Sequence, residues 1–271
     1  MSNQTSNDVG TLTIGGTSFL QVFEDVQWSC DPEFDDWQNP TRLRKGSQPM
    51  KNAARLEVPL KPVKTGSVRL SHFDLTALSL AGISLLDEYE SLEFRVTNPI
   101  SPLPNGGEFK RRFQVDPGGT LEATINTELQ SENSEIVDLL ALLESDDPDD
   151  LAAILSMTLN AVAITAPGNL RRGTHNAGGR QKATIQWEGS DNEATYPTAP
   201  TGTSTILERA INAPKTPLAF SYVSKLVEGL ERSGNLLIAS GMVRIPSDKL
   251  VQETWSFVVS EPWTTEVTTA E

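Results

Sequence analysis

One cysteine, Cys30, occurs in 271 residues, which excludes an intramolecular disulfide and any cysteine-rich zinc site. Such a chain is expected to fold in a reducing cytoplasm, with Cys30 as a small, semi-buried side chain. Long apolar runs are missing as well. The longest, around Ala161–Ala166, is far too short to cross a bilayer, so no membrane partner is expected. The amino-terminal MSNQTSNDVG carries one charge, Asp8, and reads as neither a signal nor a transit peptide. Also absent are the GxSxG nucleophile elbow, the GxxxxGK[ST] phosphate loop, GxGxxG and HExxH. The two histidines, His72 and His175, stand in unrelated segments without acids at metal-binding spacing, and read as lone surface side chains. Carboxylates are plentiful, but nothing singles out a pair with glycosidase geometry. The expectation is a protein that is not an enzyme, with no catalytic residues, no metal and no cofactor.

Basic residues are also scarce. The net charge of −14 argues against holding nucleic acid as a ligand, because phosphate binding is driven by Lys and Arg. Their distribution says more than their number. Eight bases against one acid, Glu57, fall between Arg42 and Arg69, whereas no base occurs between Arg112 and Arg171, a stretch with eleven acids. Opposite signs on separate segments fit two solvated faces or head-to-tail association of copies, one copy's basic segment meeting the next copy's acidic one.

What is present is alternation. Apolar and polar residues alternate in Leu92–Val96, Phe109–Val115, Leu121–Ile125, Ala183–Glu188, Leu218–Ser224, Leu236–Ile245 and Val251–Val259, the mark of strands with one buried and one wet face. Leu20, Val22, Val26 and Trp28 share a strand face, with Thr11–Ile14 expected to pair before it. Turn chemistry separates several of these at Pro117-Gly118-Gly119, Ser233-Gly234-Asn235 and Pro246-Ser247-Asp248. Helices are few. Ile136, Val137, Leu139, Leu140, Leu142 and Leu143 form an apolar stripe. Asp147-Pro148 signals a second short helix through Leu151, Ile154 and Leu155. Asp74–Leu80 and Ser204–Ile211 are weaker helical candidates. The acids Asp146, Asp147, Asp149 and Asp150 suit helix amino termini better than a calcium loop, for which the glycine and distal glutamate are missing. The reading is a mainly β chain of two packed antiparallel sheets, a sandwich or partial barrel, with short flanking helices. Residues 1–271 form one domain, with a long loop at 31–54 and a helical insertion at about 131–155.

Loops as long as 31–54 and 189–203 are usually functional or ordered by a partner. Of five tryptophans, Trp187 and Trp255 are in phase with apolar neighbours and read as core. Trp37 and Trp263 read as out of phase, beside turns, and are placed as partner anchors. The candidate assembly interface is therefore Trp37, Arg42, Arg44, Lys45 and Trp263, with Asp146, Asp147, Asp149 and Asp150 as the complementary acids.

The last hundred residues carry a resemblance. A strand ending Trp187-Glu188-Gly189 precedes a polar loop, a short helix over Ser204–Ile211 and a strand through Phe220 and Tyr222. Then follow Gly234 to Val251 and a closing Glu253-Thr254-Trp255-Ser256-Phe257-Val258-Val259, with Glu261-Pro262-Trp263. This resembles the end of the major tail tube proteins of long-tailed bacteriophages, whose last two strands join through a proline–aspartate turn. The loop at 31–54 sits where that family carries an inter-ring loop, and the insertion at 131–155 is longer than the family's flanking helix. The resemblance implies six copies closing into a ring and rings stacking into a tube in the virion tail, made in the host cytoplasm. The implied partners are copies of itself and other tail proteins, with DNA passing through an acidic lumen without specific binding. Two other classes share these features: another virion component (capsid decoration, tail-completion or baseplate-hub protein), and a carbohydrate-binding module, which would need exposed coplanar aromatics.

Overall fold

The computed structural model describes residues 4–5, 9–18, 25–39, 44–64, 68–104, 110–128, 135–176, 182–189, 205–224 and 229–267, and for 4–5, 9–10, 17–18, 25, 33–39, 44–51, 63–64, 68, 135, 205 and 261–262 the backbone alone. The strands begin with β1 (Gln4–Thr5), β2 (Val9–Ile14), β3 (Thr17–Ser18), β4 (Asp25–Asn39), β5 (Arg44–Leu60), β6 (Val63–Lys64) and β7 (Val68–Arg69). Next come β8 (Leu75–Leu80), β9 (Ile83–Ser84), β10 (Tyr89–Thr97), β11 (Ile100–Leu103), β12 (Arg112–Val115) and β13 (Thr120–Glu128). After helix α1 (Glu135–Leu143) follow β14 (Ala152–Leu159), β15 (Val162–Asn176) and β16 (Lys182–Gly189). Helix α2 (Thr205–Asn212) then leads to β17 (Leu218–Ser224), β18 (Leu230–Pro246) and β19 (Gln252–Val267).

The protein is mainly antiparallel β, as its alternation predicts. Among the described residues, fifteen strands hydrogen-bond into one sheet, and β11–β12 and β6–β7 form two small ribbons. The sheet forks at β18. β18 pairs with β19 along its length, but its other edge takes β17 from Leu236 back to Glu231 and β10 from Ser240 to Pro246. From β17 the sheet continues to β2 and β3. From β10 it continues through β13, β16, β15, β14 and β8 to β9. The chain entering β8 returns to the β18–β19 turn, where His72 N donates to Lys249 O (3.2 Å) and Val251 N donates to Leu70 O (3.0 Å). Both branches thus curl about one core, which joins Leu12 and Phe220 to Phe94, Ile185 and Met157.

Two core tryptophans show why the alternation held. Trp187 and Trp255 are both at most 1% exposed. Trp255 lies over Gly241 on the paired strand, where a Cβ would stand 2.0 Å from its ring. Trp187 lies beside Gly168, and its indole N–H donates to Ala153 O at 2.8 Å. A large ring against a glycine backbone fills the layer without a void, and buried indoles need such an acceptor.

Four expectations are corrected. Residues 31–54 are not a loop: Asp31–Asn39 pairs with Arg44–Ala53 as a β-ribbon. Sequence periodicity reports burial, and this ribbon extends beyond the sheet that would bury one of its faces. Its prolines fit strands of this kind, and Pro49 lies opposite Phe34 at a register shift. The second helix is a single 3-10 turn over Pro148–Leu151. From Ala152 the chain is strand, with Ala153, Leu155, Met157 and Leu159 buried and Ile154 53% exposed. Leu75–Leu80 is also strand, pairing with β14. A register shift between Thr158 and Leu159 lets Leu75 and Leu78, three apart, both point inward, which mimics helical spacing. Thr11–Ile14 pairs with β17, not with the strand that follows it. The helices over 135–143 and 205–212 match the sequence reading, with Ile136, Leu139, Ile206, Leu207 and Ala210 buried.

Candidate assembly surface

The feature set apart from the body is the outer ribbon of β4 and β5. β19 pairs with β5 as far as Ala54, and β1 leaves β4 at Val26. Beyond those points the two strands pair with each other, and among the described residues their further tie to the body is at Asn52. There Arg111 N donates to Asn52 O (3.1 Å), and Lys110 bridges to Asn52 in parallel register. Nine residues of strand extend about 30 Å. A two-stranded ribbon of that length is marginal by itself in water.

Register changes the charge picture drawn from the sequence. β4 brings Asp31, Glu33, Asp35 and Asp36 alongside the bases of β5, with Glu33 opposite Lys51. Four acids and four bases (Arg42, Arg44, Lys45 and Lys51) therefore share residues 31–54, and the arm as a whole is not basic. The bases concentrate at its tip, where Arg44 and Lys45 lie opposite Asn39 and Gln38. Trp37 is on the arm opposite Gly46, and Arg42 lies outside the described residues.

The complementary acids lie on another element. Asp146, Asp147, Asp149 and Asp150 are all exposed on the turn between α1 and β14. Asp147 caps the 3-10 turn by accepting from Asp149 N at 3.0 Å, and Asp150 accepts from Ser145 Oγ at 2.5 Å. Along the sheet, six strands separate β5 from β14. At the end of β18–β19 away from the arm, Phe73 is 81% exposed and stacks on His72 at 3.8 Å, near the part-exposed Leu250.

Trp263 is corrected. It is 7% exposed, inside its own subunit. β19 runs through Glu261-Pro262, which form a bulge opposite Gly234 and Asn235. Two extra residues preserve the alternation, so Trp263 returns to the side that holds Trp255 and Phe257. There it meets Trp28 edge-on at 5.7 Å, and Lys110 Nζ sits 4.1 Å from its ring centroid while donating to Trp263 O. Trp28 also faces Phe220 at 5.9 Å and lies 4.9 Å under the Arg232 guanidinium, which reaches Tyr222 at 5.6 Å. Sequence reasoning missed this cluster because its members come from five distant segments.

A surface groove of about 630 Å³ lies between the Pro117–Gly119 turn and the end of α2. Its titratable lining residues are Asp116 and Lys215. The buried Asn98 amide is engaged by Ala210 O and Ile238 O at 3.3 and 3.1 Å, so it latches α2 to the sheet. Among the described residues, no three His, Cys, Asp or Glu side chains converge as metal ligands would, and no helix is long and apolar enough to cross a membrane.

No family model matches the chain, and no curated protein matches it. Among solved structures it is similar to the Dit protein of SPP1, described as a paradigm of the hub adsorption apparatus in phages infecting Gram-positive bacteria. The identity is 13%, the coverage 68% of this chain and 98% of that one, and the TM-score 0.30. At that score the likeness carries no functional argument.

Proposed function

We propose that this protein is a structural subunit of a phage virion, a tail tube protein that acts by assembling with copies of itself and not by catalysis. The observation that carries this reading is the arm: a ribbon about 30 Å long, paired among the described residues only with itself past Ala54 apart from its tie at Asn52. An edge of that kind is a template for pairing with another chain. The resemblance of the last hundred residues to tail tube proteins points the same way. The arm parts from β19 at Val259, midway along that strand and away from the β18–β19 turn, beside which Phe73 and Leu250 are exposed. Copies stacked in one orientation would bring an arm toward the apolar end of the next. The basic arm tip and the acids at 146–150 supply opposite charges that set register between copies. A net charge of −14 suits a conduit, because an acidic lumen repels phosphate and lets DNA slide.

Electron microscopy and sedimentation of the purified protein test this directly. Stacked rings of six copies with an open lumen are expected, together with no tight, steeply salt-dependent DNA binding in a filter assay. A concentration-independent monomer in every salt condition overturns self-assembly. Closed rings that never stack assign the chain to a different virion position, such as a hub or decoration protein.

A further inference from the structure

At the root of the arm two cations and an aromatic cluster meet. Cys30 pairs with Ala54, where β5 parts from β19 and the arm begins, and Trp28 lies two residues inside Cys30, with its indole N–H 3.0 Å from Cys30 Sγ. Trp28 is held from two directions, by Arg232 at 4.9 Å and by Trp263 at 5.7 Å. Lys110 closes the far side, seated 4.1 Å from the Trp263 ring centroid and bridged through its backbone to Asn52 of the arm. Arg232 Nε and Trp263 Nε1 are buried with no hydrogen-bond partner among the described residues. Ring faces thus hold these groups where hydrogen bonds to those two nitrogens do not.

We propose that Lys110, Arg232, Trp28 and Trp263 form a cation–aromatic clamp that fixes the direction in which the arm leaves the body. They are positioning residues for assembly. The inference rests on the self-assembly reading above and adds the device that sets its geometry. Cation–π contacts are directional and lie over a ring face, and here they tie the arm's inner end to β18, β19 and the Lys110 segment at once. Direction matters because arms that all leave at one angle dock on the next ring at one rotation, so the head-to-tail contact repeats regularly along the stack. A freely swinging arm would admit many rotations.

The test uses Lys110→Met and Arg232→Met, singly and together, which keep the aliphatic stems and remove the cations. Arg232→Lys serves as the conservative partner. Hydrogen exchange is read on the dilute, unassembled subunit, and electron microscopy on the concentrated protein. In the double variant, amides of 31–39 and 44–53 should exchange at least about tenfold faster, since more than one cation–π contact is lost. Amides of β10 and β13 and the melting temperature should stay as in the wild type. Rings should form but stack at variable rotation into short or irregular tubes, and Arg232→Lys should restore part of the uniformity. A purely structural role would instead speed exchange in β10 and β13 as much as in the arm, which overturns the proposal. So do unchanged arm exchange in the double variant, and a wild-type arm that already exchanges at the open-chain rate. If the wild type never assembles, the self-assembly reading fails, while arm exchange still decides whether the clamp fixes the arm.

Discussion

β10 paired with β13 and the outer halves of β4 and β5 are the same kind of object, two antiparallel strands in register, yet they are held by different things. On β10, Leu92, Phe94 and Val96 are buried, and the strand is paired on both edges, by β13 and by β18. Each residue adds a ladder contact and apolar burial together, of about 1.5–3 kcal/mol for a fully buried large side chain. The arm has the ladder without the layer. Its inward-facing backbone groups pair across the ribbon, but among the described residues neither strand has a second neighbour beyond Ala54 apart from the tie at Asn52. Stability in the body is internal, whereas in the arm it is on offer to a partner. Loss of the arm is therefore expected to change stability little, and loss of a core ring to change it much.

The largest effect expected from that contrast is in the body. Trp187→Ala should cost about 3–5 kcal/mol, read as a fall in the urea midpoint, since it opens a cavity beside Gly168 and removes the indole bond to Ala153 O. A loss below about 1 kcal/mol would mean the layers can collapse onto the site. Next comes the arm. Joining Pro32 to Asn52 through a tight turn should leave stability within about 0.5 kcal/mol of the wild type while abolishing assembly in sedimentation. A large fall in melting temperature, or normal tubes, would erase the distinction between arm and body.

Reversing the tip with Arg44→Glu and Lys45→Glu should weaken assembly modestly, and more at low salt than at high, because exposed pairs contribute about 0–1 kcal/mol each and are screened. An effect independent of salt would show that charge does not set the register. The smallest effect belongs to Tyr89, whose hydroxyl burial holds above its ordinary value of 10.0. The unfolded chain ionises first as pH rises, so this group's contribution is complete below pH 10 and is lost as pH climbs through the folded value. Tyr89→Phe should flatten that alkaline decline in stability and leave neutral assembly untouched.

Some of this was written in the order of residues. Period-two alternation named β10, β13, β16, β17, β18 and the first half of β19, because a buried face demands apolar side chains at every second position. It placed Trp187 and Trp255 in the core for the same reason, and an apolar stripe marked α1. The acidic turn at 146–150 was equally legible, since its role depends on local capping. Where burial does not vary with period two, the sequence fell silent. The ribbon at 31–54 reads as loop because its strands stand clear of the core, and Leu75–Leu80 reads as helix because a register shift puts two inward residues three apart. Trp263 reads as a surface anchor because nothing in Glu261-Pro262 tells a strand end from a two-residue bulge. The tertiary structure alone decided which strands are neighbours, that β18 is the fork, and that Lys110, Arg232, Trp28 and Trp263 meet at the root of the arm. Those facts depend on contacts between residues far apart in the chain, and local composition carries no record of them.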